Sequence, residues 1–509
     1  MKILQVVHLF VPRHRAGVEV YTDAVASELA REHEVTVFTT EHRPGAADYS
    51  LTRRRRGDVK VVEAIHNKNH ASFEESYSNE SMNRLFEAVL DETNPDVVHL
   101  QHLLFHSLDY VRIARERGIP VAMTLHEYWL ICLRGGQMIL PDLSRCPLPT
   151  ARDCGPCAAL GTGSASPLER AGDALLRGVK RVSGLDLWPL LRAVRIHSPY
   201  RVKRWLGLAP RPMPTPVTSA GCGAAANGMD GGANEPSEER RREVAEVAPE
   251  HVARVERRMS AVRAALDGVD HLIAPSPFLR DMFVRFGVDP AKITTSDYGF
   301  DVARIPESTQ RESAASGPAT NRPLRFGLIG SLIPVKGVHV AVEAFLGMSP
   351  GRARLVVRGT SSHRPDYVQE LKRRASGHPI EFAGPFDNER IAEVLGEFDA
   401  LLVPSVWYEN SPLTIHEGFL AGIPVITSDL GGMKDLVRDG ENGFLFRPGD
   451  ASDLRRLVDE LVDDRGRLAA ARPDRAEVKP VAQDARELAE LYRSLVGGRV
   501  APRRGEGDS

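Results

Sequence analysis

Short apolar runs alternate with amphipathic stretches along most of this chain. Residues 3–7 are largely apolar and lead into a loop holding Pro12 and Gly17. From about 18 to 31 the apolar positions recur at helical spacing, and 34–40 returns to a strand pattern. The same alternation predicts a strand over 96–101, a helix near 108–117 and a strand over 121–125. The rhythm breaks between about 134 and 234, then resumes with a charged helix over 238–266, a strand over 271–274 and a helix over 277–286. A polar linker at about 306–322 opens a second unit. It has strands at 324–329, 353–357, 381–382, 400–403 and 424–427, with helices at 337–346, 388–398 and 412–421. The last strongly periodic piece is 484–495. Strands alternating with helices imply parallel sheets covered on both faces. Two such halves would place a ligand cleft between them, outside the carboxyl ends of the strands.

Composition narrows the reading. The chain has 509 residues, enough for two or three domains, and 42% of them are apolar. Lys plus Arg total 66 against 68 for Asp plus Glu, a formal charge of −2 that gives no reason to expect a nucleic-acid partner. No run of 18 or more apolar residues marks a membrane span. The first residues meet Arg13-His14-Arg15 with no small-residue cleavage site, so they read as a strand and not a signal peptide. A cytoplasmic location is expected. Residues 209–235 have the composition of a disordered loop, and the tail from 499 is polar.

The chemistry concentrates between 404 and 417. A strand ends near Ser405, a loop crosses, and a helix is expected with Ser411 as N-cap and Pro412 as its first residue, ending at Gly422. The free amides of Leu413 and Thr414, with the helix dipole, form an anion site suited to phosphate. Glu409 stands before that terminus and Glu417 within the helix. A carboxylate beside a phosphate-binding helix start can accept both ribose hydroxyls. A second one can hold sugar hydroxyls or a developing positive charge. The spacing matches ribose, diphosphate and sugar in order; two surface glutamates flanking a capped helix would look the same.

Glu409 and Glu417 with seven residues between them resemble the Glu-x7-Glu motif of glycosyltransferase family 4. Other segments agree. Gly330-Ser331-Leu332-Ile333-Pro334-Val335-Lys336-Gly337 resembles the family's first donor-domain loop, and Asp429-Leu430-Gly431-Gly432 and Asp439-Gly440-Glu441-Asn442-Gly443 its later loops. Gly17-Val18-Glu19 resembles its glycine-rich helix start, and Thr124-Leu125-His126-Glu127 its histidine strand end. The resemblance implies an α/β protein of GT-B fold, with two Rossmann-like doubly wound parallel-sheet domains facing a central cleft. The expected division is an acceptor-side domain over 1–305, a nucleotide-sugar donor domain over 323–480, and a helix with a frayed tail over 481–509 packing back on the first domain.

The implied activity is retaining transfer of a sugar from a UDP- or GDP-sugar to a glycan or lipid-linked acceptor, by front-side attack. Polysaccharide building at the inner face of a membrane would fit it. The resemblance assigns His126, Glu409 and Lys336 to catalysis. Gly17, Ser331, Lys336, Asn410, Leu413, Thr414 and Glu417 would surround the donor. Where this chain has Ser331 the family often has Arg, and Arg358 at a neighbouring strand end is the candidate substitute. Glu127 could orient His126, or be merely solvated. His102 and His106 could line the acceptor side or be buried in the core. No Asp-x-Asp pair sits at a strand end, so no catalytic metal or other cofactor is expected; Lys336 and helix amides would stabilise the departing diphosphate.

Cys132, Cys146, Cys154 and Cys157 lie in an insertion at about 132–160. The final C-x2-C suits a tetrahedral structural zinc. Free thiols in a loop and a disulfide pair stand as alternatives. Residues 178–206 combine seven Lys and Arg with Trp188 and Trp205. Such a stretch can rest on an anionic membrane surface or pack as a charged helix on its own protein.

Overall fold

The computed structural model describes residues 1–68, 70, 72–140, 143–146, 149–159, 167–185, 187, 246–309, 322–349, 351–362 and 364–498. The tract at 209–235, Trp188, Trp205 and the tail from 499 lie outside them. The described strands form two sheets. The first holds β1 (Lys2–Val7), β2 (Glu34–Glu41), β3 (Leu51–Arg56), β4 (Val59–Ile65), β5 (Val97–Leu100), β6 (Val121–Thr124), β7 (His271–Ala274) and β8 (Ile293–Thr295). The second holds β9 (Leu324–Ser331), β10 (Ala353–Thr360), β11 (Ile380–Gly384), β12 (Ala400–Val403), β13 (Val425–Ser428) and β14 (Gly443–Phe446).

The strand orders are β3-β4-β2-β1-β5-β6-β7-β8 and β11-β10-β9-β12-β13-β14. All neighbours are parallel except β3 and β4. Each sheet therefore starts at an inner strand, winds outward one way, then reverses and winds the other way. This is the doubly wound order, and the reversal lies between β1 and β5 in one sheet and between β9 and β12 in the other. Strands β5, β6, β12 and β13 are buried at every position, as parallel strands covered on both faces should be.

Helices of the first half are α1 (Gly17–Leu29), α2 (Glu80–Thr93), α3 (Tyr110–Glu116), α4 (Ala151–Ala159), α5 (Pro167–Ser183), α6 (Pro249–Gly268) and α7 (Pro277–Phe286). In the second half follow α8 (Val338–Phe345), α9 (Pro365–Ala375), α10 (Ile391–Leu395), α11 (Leu413–Leu420), α12 (Gly432–Leu436), α13 (Ala451–Asp463), α14 (Arg465–Ala470) and α15 (Val481–Gly498). The last of these packs on α1 and β5 of the first sheet.

Several expectations are corrected. Strand β3 reads as polar because Arg53, Arg54 and Arg56 pair with Glu92, Glu63 and Asp23 at the sheet edge, so its apolar alternation is lost. The helix expected at 388–398 is a 3-10 turn followed by the short α10. The helix expected from Pro412 starts at Leu413, with Pro412 extended at φ −66° and ψ 122°. Ser411 does not cap it. Its hydroxyl donates instead to Asp297 Oδ1 at 2.6 Å and lies 2.7 Å from His416 Nε2.

Candidate active site

The loops that leave β1, β9 and β12 at the reversal points carry the candidate residues. After β9 the backbone makes a turn at Pro334–Lys336, and Gly337 takes φ +68°. A Cβ there would lie 1.7 Å from the Pro404 carbonyl oxygen, so glycine is required for this loop to lie against the end of β12. That close approach places Lys336 over the segment following β12. Its ammonium is 2.6 Å from Glu409 Oε1 and 5.6 Å from the centre of the Trp407 ring.

Glu409 is 6% exposed, and Lys336 side-chain exposure is 36%. Glu409 Oε1 also accepts from the Ser405 hydroxyl at 2.7 Å and from the Trp407 indole N–H at 2.8 Å. Three donors on one oxygen, one of them a cation, fix the carboxylate orientation. Oε2 receives no hydrogen bond from the described protein groups, so the carboxylate keeps one accepting oxygen for a ligand. The backbone here is clamped too. The Gly432 amide donates to the Glu409 carbonyl at 2.7 Å, and the Asn410 side-chain amide donates to the His126 carbonyl at 2.7 Å. Asn410 therefore ties the second half of the chain to the first.

The first intrahelical donor of α11 is the Ile415 amide, which bonds the Pro412 carbonyl. The Leu413 and Thr414 amides precede it and have no partner within the helix. Gly17 stands opposite: a Cβ on it would meet Leu413 Cδ1 at 3.7 Å and nothing nearer. Protein packing does not demand glycine at this position; it keeps the space before α11 open. Glu417, half-buried on α11, has its carboxyl pushed up to about 7, chiefly by burial and against the opposing pull of Arg304.

On the first half, His126 sits at the end of β6, but its ring is turned inward. Nε2 lies 2.8 Å from Gln101 Oε1 and Nδ1 2.9 Å from the Tyr298 hydroxyl. Both nitrogens hold protein partners, so the ring is not presented to the cleft as the hydrogen-bond partner of the sugar that the resemblance implies for His126. Residue 126 meets the second half through its carbonyl instead. Burial, then the charges of His102, His99 and His8, hold its imidazole well below the ordinary value. Glu127 does not orient it either. Glu127 Oε1 pairs with His102 Nε2 at 2.8 Å, and burial pushes its carboxyl up to about 8 while pulling His102 down to about 4. His106 is buried with Nε2 2.9 Å from the Val7 carbonyl, the structural of its two readings.

The Arg358 guanidinium is engaged by Glu397 at 2.9 Å, a pair that would have to open for Arg358 to replace the charge missing at Ser331. Cys132, Cys146, Cys154 and Cys157 form no disulfide, and Cys132 and Cys154 are buried. Among the described residues no group of three or more His, Cys, Asp or Glu is placed to hold a metal ion. Arg258 of α6 pins their region, donating to the Trp129 and Leu130 carbonyls at 2.6 and 3.0 Å. Sequence reasoning gave no role to Ser405 and Trp407, whose signal was only nearness to Glu409, or to Gly432, which stood only as part of the Asp429–Gly432 loop motif. It also missed Gln101, Asp297 and Tyr298, which the fold brings in from distant positions.

Two family models match the chain. The one described as Glycosyltransferase Family 4 covers residues 15–146, and the one described as Glycosyl transferases group 1 covers 323–464. A D-inositol 3-phosphate glycosyltransferase of Nocardia farcinica is 32% identical over 199 residues, which is 37% of this chain and 44% of the relative. The chain spans about half the length of the curated relatives it matches. Sucrose-phosphate synthase from Thermosynechococcus elongatus aligns over 98% of this chain and 99% of its own, at TM-score 0.59 and 15% identity. Anabaena HepE, solved in complex with UDP and glucose, aligns over 97% and 100% at TM-score 0.54 and 15% identity. The likeness to these two structures is one of fold, and the fold is GT-B.

Proposed function

The chain belongs to the family 4, group 1 glycosyltransferases, and we propose that it transfers a sugar, with retention and without a catalytic metal ion, from a nucleoside diphosphate donor to a hydroxyl of a glycan or lipid-linked acceptor. One observation carries this reading: Lys336 and Glu409 meet at 2.6 Å beside the open amides of α11, facing Gly17 across the cleft. A cation, a helix start and a carboxylate with a free oxygen are the groups that a diphosphate and its sugar need at one point.

The roles follow from position. The diphosphate lies on the Leu413 and Thr414 amides and draws Lys336 toward it. The ribose hydroxyls donate to Glu417. Glu409 Oε2 faces the sugar and stabilises positive charge as the glycosidic bond to phosphate breaks. The acceptor hydroxyl attacks from the same face, and its proton passes to the departing phosphate oxygen. The donor base is proposed to be uridine or guanosine; the complex of HepE with UDP supports the former.

The acceptor is proposed to be met in the cytoplasm at a membrane surface, during polysaccharide or glycolipid assembly. Leu175 and Val182 of α5 are 68% and 89% exposed, beside Lys180 and Arg181, and support such contact. Among the described residues no helix is long and apolar enough to cross a membrane.

Glu417 gives a test of the donor site. Its folded carboxyl titrates near 7, above its ordinary value of 4.5. The native state holds this proton more tightly than the unfolded chain, so Glu417 lowers stability progressively as pH rises from about 4.5 to 7 and costs nothing below that window. Ribose hydroxyls need the ionised form. UDP affinity measured by calorimetry should therefore rise between pH 6 and pH 8, and Glu417→Gln should bind more weakly with that rise abolished. A wild-type affinity flat across this range would remove Glu417 from the ribose site.

A further inference from the structure

A column of hydrogen bonds runs through the first half of the molecule, from the carboxy-terminal helix to the cleft. Tyr492 of α15 is fully buried, with its hydroxyl 2.5 Å from His99 Nδ1 on β5. His99 Nε2 lies 2.8 Å from Thr124 Oγ1, and the Gln101 side-chain nitrogen 3.3 Å from His99 Nδ1. Gln101 Oε1 then meets His126 Nε2, and the Tyr298 hydroxyl meets His126 Nδ1.

The protons in this column run one way. Gln101 donates through its nitrogen to His99 and accepts through its oxygen from His126. His99 therefore carries its proton on Nε2, toward Thr124, and accepts at Nδ1 from Tyr492 and Gln101. His126 carries its proton on Nε2 and accepts at Nδ1 from Tyr298. Burial keeps both rings neutral, with His99 pulled down to about 3 and His126 well below its ordinary value. Each ring thus has one tautomer, set by its neighbours.

A second route leaves the same helix. Asp484 accepts from the Tyr21 hydroxyl at 2.9 Å, the Gly299 amide at 3.1 Å and the Lys479 ammonium at 2.6 Å. The Tyr21 ring lies edge-on to His126 at 5.3 Å and against Tyr298 at 4.7 Å. Tyr298 in turn stacks on His126 at 5.2 Å. Both routes converge on one residue, whose carbonyl receives Asn410 Nδ2 next to Glu409.

We propose that Tyr492 and Asp484 of α15 are positioning residues for glycosyl transfer: through His99 and Gln101, and through Tyr21 and Tyr298, they hold His126 in one tautomer and orientation, and with it the carbonyl that fixes Asn410 across the cleft. The proposal rests on the reading of this cleft as a sugar-transfer site. Helix α15 follows the second sheet in the chain yet docks on the first. Its docking therefore joins the donor half to the residue that aligns the two.

Tyr492→Phe removes one hydroxyl and leaves no buried charge. Two measurements on the full-length protein test it. In nitrogen NMR of histidine-labelled protein, wild-type His126 should show a protonated Nε2 and an unprotonated Nδ1, and the variant a mixture of tautomers. Turnover of sugar transfer by the variant should fall roughly ten- to a hundredfold through misplacement at the cleft, while UDP affinity is unchanged. Arg486→Ala, on the exposed side of α15, should behave as wild type. Wild-type turnover with unmoved His126 resonances would overturn the proposal. So would parallel loss of turnover and UDP affinity, which would report general damage. Should Tyr492→Phe fail to fold, Tyr21→Phe cuts the Asp484 route and is expected to give the same split. If the wild type releases no nucleotide from any donor, the transfer reading fails, while the His126 resonances still decide whether the column exists.

Discussion

Glu409→Gln should abolish most sugar transfer while leaving nucleotide binding nearly intact. The amide has the shape of the carboxylate, and its oxygen can still accept from Ser405 and Trp407, which reach Oε1 at 2.7 and 2.8 Å. It lacks the charge that meets Lys336 and that would face the sugar carbon as its bond to phosphate lengthens. Loss of one preorganised electrostatic group of this kind costs about 10²–10³-fold in turnover. The diphosphate and ribose contacts proposed for Leu413, Thr414 and Glu417 are untouched, so the UDP dissociation constant should move little. Steady-state kinetics and calorimetry on the same preparation separate the two quantities. A variant that transfers at the wild-type rate would take Glu409 out of the chemistry. A variant that loses UDP binding in proportion to turnover would make it a structural residue.

The second large effect is expected from backbone packing alone. A Cβ at Gly432 would lie 1.5 Å from the Asn410 carbonyl oxygen and 2.9 Å from Ser276 Oγ. The first neighbour is backbone and cannot rotate away. Gly432 also donates its amide to Glu409. Gly432→Ala must therefore push apart α12 and the loop that carries both Glu409 and Asn410. Destabilisation of about 3 kcal/mol or more is expected, at the severe end for single substitutions. Transfer should be lost even below the melting transition, because the Asn410 bond to the His126 carbonyl breaks with the same shift. Gly497→Ala is the control: a Cβ there meets nothing within 4 Å, and at the end of a helix it should be neutral or slightly stabilising. Equal melting temperatures for the two variants, by calorimetry, would contradict this packing argument.

These two positions show what could be read from the residue order and what could not. Both sheets were legible at their inner strands, because β5, β6, β12 and β13 are covered on both faces and are largely apolar. Strand β3 was not, since three of its four arginines satisfy ion pairs at an edge and hide the alternation. The donor loop was legible as a motif because Lys336, Glu409 and α11 are local features of strand ends. The orientation of His126 was not. It depends on Gln101 and Tyr298, 25 and 172 residues away, and no local pattern reports which way a strand-end ring turns. Arg358 was hard to read for the same reason. Its place at a strand end was readable, but its commitment to Glu397 on a neighbouring segment was not.

The most direct test of the account is release of nucleoside diphosphate by the wild-type protein from a panel of UDP-, GDP- and ADP-sugars in the presence of EDTA, with the anomeric configuration of the transferred sugar read by NMR. Sugar release from a UDP- or GDP-donor without added metal, giving a product of the donor's own anomeric configuration, is the result the Lys336–Glu409 site predicts. No release from any donor, dependence on a divalent ion, or an inverted product would contradict it.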